Sequence, residues 1–236
     1  VLLISKQMQE GKWRETGDTV KFSVTGRLLD GQHRLSAIVD SGVSQFLMVA
    51  RGLDSNAFDV LDSGKSRTAG DVLSSVGVLN SSRVASVSKF IMLFNLGKYN
   101  DFRQGKLRTL ITNRDIRDFV TENPSVVDVV THVGTLSSRF KGVSFTILAG
   151  MYFILNQRDS DLSEEFFNQL VYGEGLTQGS PVYALRERLF KVALSKTLKP
   201  SVGDYVFYLA KAWVAFKKGK TVKNIVKRTG EPFPEI

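Results

Sequence analysis

The chain contains no cysteine. That excludes disulfides and cysteine-ligated zinc, and it fits a reducing compartment such as the cytoplasm. Histidine is nearly as scarce, with only His33 and His132. No His/Asp/Glu cluster has the spacing of a transition-metal site. No apolar run approaches the roughly 20 residues that cross a bilayer, so no membrane partner is expected. The opening lacks the cationic flank and cleavage site of a secretory signal. It starts at Val1 rather than Met, inside an apolar helical pattern (Leu2, Leu3, Ile4, Met8), so upstream residues are expected. Acids are almost missing from one long stretch. Between Arg186 and Arg228, 12 Lys and Arg face only Glu187 and Asp204, a local net of +10 in a chain whose total is +9.

What is present is enough for a packed interior. The 236 residues are 42% hydrophobic, sufficient for one large domain or two small ones. A basic C-terminal region beside a near-neutral remainder is the electrostatic footprint of a nucleic-acid binder. Its candidate contacts are Arg186, Arg188, Lys211, Lys217, Lys218, Lys220, Lys223, Lys227 and Arg228. The plain alternative is a solvated basic face. Phe190, Tyr205, Phe207, Tyr208, Trp213 and Phe216 are interleaved with these charges. Their helical spacing assigns most of them to the core rather than to base stacking.

Periodicity predicts an α+β chain in two parts, residues 1–70 and 71–236. In the first, a helix covers Leu2 to Gln9. Val20, Phe22 and Val24 alternate with polar residues as a half-buried strand does. Thr25-Gly26 is a turn signal, making Arg27 to Leu29 a second short strand. Gln45 to Val49 reads as a third strand, and Asn56 to Leu61 as a short helix with Ser55 as N-cap. After Arg67 the alternation vanishes. Helices are expected near 69–76, 82–96, 113–122, 125–139, 146–156, 163–171, 181–194 and 201–218. Thr112 to Asp115 has the form of a capping box, and Gly219 can close the last helix.

The densest chemistry lies at Gly26-Arg27-Leu28-Leu29-Asp30-Gly31-Gln32-His33-Arg34-Leu35. A strand ends there in a polar turn and opens a helix. Such an N-terminus offers unpaired backbone N–H groups and a positive dipole end, which suit an anion such as phosphate. His33 and Arg34 sit in the first turn, within reach of the same anion. The run is neither the three-glycine dinucleotide fingerprint nor a phosphate loop. Without an anion it would be an ordinary strand-to-helix turn whose Arg34 pairs with a carboxylate.

Asp30-Gly31-Gln32-His33-Arg34 resembles the signature of the ParB/sulfiredoxin-like superfamily, in its DGQHR variant. Met8 to Trp13, Arg51 to Asp54, Phe58 to Arg67 and Asp71 to Leu73 extend the resemblance to phage proteins of the ParB-like type. It continues more thinly through Gly173 to Leu176, Pro181 to Arg186 and Ala212-Trp213. It implies an N-terminal α+β module that cradles nucleotide phosphates, followed by an all-α domain. Carried over by position, Gly31, Gln32, His33 and Arg34 would hold the phosphates of ATP or CTP. Asp30 would orient the turn or a metal-bound water, and His33 would donate to a phosphate oxygen or shuttle a proton. The lack of cysteine excludes sulfiredoxin-type repair, which needs a thiol. The partition-protein box has a Glu-Arg-Arg form that this chain lacks, which bears on CTP specificity.

A second polar cluster runs from Asp59 to Arg67. Its Ser63-Gly64-Lys65-Ser66 is not a phosphate loop, because the position where that motif needs its first glycine holds Asp59. Folded back over the signature helix, it would bring Lys65 and Arg67 to a phosphate and Asp62 to a hydrated magnesium ion. The alternative is a Gly-capped helix end with solvated charges. His132 is read as structural. Three functions follow from the resemblance: a nucleotide-gated DNA-binding protein in which the nucleotide switches a conformation or a homodimer, an NTP-dependent phosphotransferase acting on DNA bases or a small alcohol, and a ParB-like nuclease.

Overall fold

The structure, a computed structural model, describes residues 1–56, 68–101, 111–137, 139–140, 142–195, 197 and 199–236. It divides into two compact units, Val1–Thr68 and Ala69–Ile236. Among the described residues it is mixed α and β and mostly helical: ten α-helices, a short 3₁₀ turn at Tyr99–Asp101 and one three-stranded sheet. No described helix is long and apolar enough to cross a membrane.

The smaller unit holds α1 (Leu2–Gln9), β1 (Val20–Ser23), β2 (Leu28–Asp30), α2 (Gln32–Ser41) and β3 (Val49–Leu53). The sheet order is β2-β1-β3. β2 returns antiparallel to β1 through the turn that contains Gly26, and β3 lies parallel to β1 after the α2 crossover. α1 packs against α2. Among the described residues of this unit, Met8, Val20, Leu29 and Ala37 are the buried apolar ones. The third strand lies later than its expected span of Gln45 to Val49. The ladder begins where the Val20 N–H donates to the Met48 carbonyl at 2.8 Å. Upstream of that point Phe46 is 96% exposed, so its apolar character does not mark a strand. Arg51 fits inside β3 because its guanidinium lies over the Phe22 ring, 4.9 Å from the centroid. The expected helix at Asn56 to Leu61 falls almost wholly outside the described residues.

The larger unit holds α3 (Ala69–Ser75), α4 (Ser81–Asn95), α5 (Asn113–Glu122), α6 (Ser125–Ser137), α7 (Phe145–Asn156), α8 (Ser160–Tyr172), α9 (Pro181–Leu194) and α10 (Val202–Lys217). The local signals explain their ends. Thr112 and Asp115 form the capping box of α5, Ser201 and Asp204 form that of α10, and Asp159 caps α8. At the far end of α10 the Lys220 N–H returns to the Ala215 carbonyl at 2.9 Å, past Gly219. α7 carries no charged residue and is buried from Ile147 to Leu155, packed by α4, α6, α8 and α10. A helix apolar all round belongs at the centre of a bundle. At its closest approach to α4, a Cβ on Gly150 would stand 2.2 Å from Phe90 Cδ1, so only glycine fits there.

Residues after α10 run as a strap without helix or strand. Ile225 is buried, and the Phe233 ring lies 5.5 to 6.3 Å from Tyr99, Phe94 and Phe207. Lys211 Nζ donates to the Val226 carbonyl at 2.8 Å and to Glu231 at 2.5 Å, while Lys227 pairs with Asp204 at 2.9 Å. Arg158 Nε donates to the Ile236 carbonyl at 2.8 Å.

Candidate functional site

The turn before α2 is built on Gly31. Its φ of 100° lies in the left-handed region, and a Cβ there would come within 2.8 Å of Val20 Cγ2. Both facts demand glycine. The close approach lets α2 start directly above β1. Asp30 Oδ1 accepts the Gly31 N–H at 2.8 Å, and its other oxygen lies 3.5 Å from Lys21 Nζ. No side chain caps α2. Among the described residues the backbone N–H groups of Gln32, His33 and Arg34 have no acceptor. The Gln32 and His33 side chains are exposed.

Arg34 faces the other way. Its guanidinium donates to the Asp18 carbonyl and, at 3.3 Å, to the Thr19 carbonyl, and lies 3.9 Å from Asp30. It braces the strand entry against the first turn of α2, close to the structural alternative for this turn. Asp30 is likewise engaged, between Lys21, Arg34 and the Gly31 amide. The groups brought together with open valences are thus Gln32 and His33, on the same exposed first turn. Asp62, Lys65 and Arg67 lie outside the described residues. Among the described residues, no three His, Asp or Glu side chains gather as a metal site.

The basic candidates divide in two. Arg186 donates to the Leu170 carbonyl and, at 3.1 Å, to that of Val171, satisfying the end of α8; burial holds its guanidinium below the usual arginine range. Arg188 donates to the Tyr208 hydroxyl at 2.8 Å and lies over that ring. Lys211 and Lys227 pin the strap. Arg228 stands beside Glu231, whose carboxylate accepts its backbone N–H at 2.9 Å. Lys217, Lys218, Lys220 and Lys223 are exposed and have no acidic partner among the described residues. They cluster at the end of α10 and the start of the strap. Of the interleaved aromatics, Phe207, Tyr208 and Trp213 are buried, and Tyr205 and Phe216 pack against the core. Phe190 differs: it is 42% exposed.

One polar cluster carries no sequence signal. Tyr152 of α7 donates its hydroxyl to Glu164 of α8, whose carboxylate also accepts from Asn168 at 3.0 Å. His132 of α6 brings Nε2 to 3.4 Å from the same carboxylate. Burial, then the bond to Glu164, raises the Tyr152 phenol well above its ordinary value. The His132 Nε2 is buried and makes no hydrogen bond among the described residues, and the His132 ring packs 5.2 Å from that of Tyr152, beside the tie between α7 and α8. Such a tie joins distant positions, so no local spacing announces it.

Comparison of the chain with protein-family models, with curated proteins and with solved structures finds no match.

Proposed function

We propose that the chain is an NTP-binding, DNA-associated protein of the ParB-like kind, holding nucleotide phosphates at the N-terminus of α2 and DNA on the helical unit. The observation that carries this reading is the first turn of α2, where among the described residues no side chain caps the helix and three backbone N–H groups lack acceptors, with the Gln32 and His33 side chains exposed beside them. Helix N-termini of this form bind phosphate through oriented amides and the helix dipole. The resemblance of Asp30 to Arg34 to the superfamily signature supplies the class of ligand, ATP or CTP with magnesium. In this reading Gln32 and His33 meet the phosphates, while Asp30, Gly31 and Arg34 fix the shape of the turn. DNA association is supported by the free lysines Lys217, Lys218, Lys220 and Lys223.

Thermal unfolding with ATP, CTP, GTP and their diphosphates, each with magnesium, tests the nucleotide half. A ligand at about 100 times its Kd adds about 2.7 kcal/mol. The expected result is a clear shift with one nucleotide that disappears in Gln32→Ala/His33→Ala. Arg34→Ala is the wrong probe, because it removes a brace of the fold. No shift with any nucleotide would end this reading.

A further inference from the structure

Where Arg139-Phe140, just after α6, and the C-terminal end of α8 lie beside α9, two aromatic rings stay partly open. Tyr172 closes α8 and Phe190 lies on α9; each is 42% exposed. A guanidinium lies over each ring: Arg139 Cζ is 5.6 Å from the Tyr172 centroid, and Arg186 Cζ is 5.4 Å from that of Phe190. The two pairs join through Phe140, the chain neighbour of Arg139. Phe140 meets Phe190 edge-on at 5.9 Å and has Arg186 5.6 Å from its own centroid. Arg186 is fixed by its two bonds to the end of α8. One turn beyond Phe190, Leu194 is 85% exposed.

Charge selects the partner. Arg139, Arg186, Arg188 and Lys191 outnumber Glu174 and Glu187 on these segments. An apolar partner helix would strip water from the guanidinium of Arg139 without offering it an anion. A phosphate backbone supplies the anion, and a base supplies a flat face for each ring. In a duplex those faces are already stacked on one another, so a single strand fits.

We infer that this corner is a stacking site for single-stranded nucleic acid, with Tyr172 and Phe190 as base platforms and Arg139 and Arg186 as the cations beside them. The inference rests on the nucleic-acid half of the function proposed above, and names the strand class and the side chains that hold it. It is distinct from the lysine cluster at the end of α10.

The test is fluorescence anisotropy of the full chain with labelled oligothymidine and with a mixed-sequence duplex. The wild type should prefer the single strand. Tyr172→Leu and Phe190→Leu keep apolar bulk but remove the ring, and each should weaken oligothymidine binding roughly tenfold while leaving duplex binding unchanged. Tyr172→Phe and Phe190→Tyr should bind as the wild type does. Replacing Lys217, Lys218, Lys220 and Lys223 with alanine should weaken both strands and flatten the salt dependence. If Phe190→Leu lowers the melting temperature, Tyr172→Leu decides, because Tyr172 stands at a helix end. Leucine variants that bind like the wild type, or a wild type without single-strand preference, overturn the inference. Loss in the lysine variant alone overturns it and leaves DNA association standing. A wild type that binds neither strand removes both.

Discussion

Among the described residues the smaller unit buries four apolar side chains, Met8, Val20, Leu29 and Ala37, whereas the helical unit buries Trp213, Phe90, Phe166 and Phe167 together with most of α7. The smaller unit compensates with polar ties. Arg34 holds two carbonyls, Asp30 holds Lys21 and the Gly31 amide, and the Ser23 hydroxyl accepts from the Thr25 and Arg27 amides. In the helical unit, charged side chains tie the periphery and the apolar interior carries the packing. A residue's charge therefore means different things in the two units. Near α2 it shapes a turn; on α10 and the strap it either pins the surface or stands free.

The contrast can be broken most forcefully at the contact between α4 and α7. Phe90→Ala should cost about 3–5 kcal/mol in urea unfolding. Gly150→Ala should cost about 1–3 kcal/mol, because its Cβ meets a buried ring that cannot swing away. Together they should cost clearly less than the sum, since the new methyl enters the space the ring leaves and alanine favours the helix. Strict additivity would show that the ring does not impose the glycine.

A smaller effect is expected at the turn. Gly31→Ala should cost about 1–3 kcal/mol through its left-handed backbone and the contact with Val20. The damage should be read at the indole N–H signal of Trp13 in the smaller unit before that of Trp213 in the larger. Val20→Ala should relieve only the contact, leaving the backbone strain. A variant as stable as the wild type would mean that the turn can adopt another path.

The mildest effect concerns acid. The bond from Lys211, followed by the Arg228 amide, holds Glu231 below its ordinary value. Burial pushes Asp204 up, but bonds from Lys227 and from the Ser201 amide and hydroxyl outweigh it and leave it lowered. Both carboxylates are depressed in the folded chain. The stability they lend is therefore present above the ordinary carboxylate range, about pH 4, and is lost as pH falls through their lowered values. Glu231→Gln should flatten the acid limb of the melting-temperature profile with little change near neutrality. An acid limb identical to that of the wild type would show that the Lys211–Glu231 pair does not help hold the strap.

Local signals were legible. The capping box at Thr112 and Asp115 marks the start of α5, and Pro181 to Leu194 is found as α9 with the ends the sequence predicts. The strand, polar turn and helix around Asp30 are also where alternation and glycine place them. The position of β3 was not legible, because pairing with β1 and the seat of Arg51 on Phe22 select its register. Nor were the partners of the basic residues. A charge sum counts signs, while Arg186 and Lys211 find their acceptors 15 or more residues away. The open ring of Phe190 was hidden for the same reason: helical spacing reports a face, and only the neighbouring helices decide whether that face is covered.

α7 also governs where this polypeptide can be divided. It presents apolar side chains around its whole circumference, and α8 and α10 cover part of it from later in the chain. A fragment that stopped between α7 and α8 would leave that surface open to other molecules, a direct route to aggregation. Limited proteolysis that nicks the loop after Asn156 should therefore yield insoluble pieces, whereas cleavage near Thr68 leaves α7 on the same side of the cut as α4, α6, α8 and α10, which pack on it.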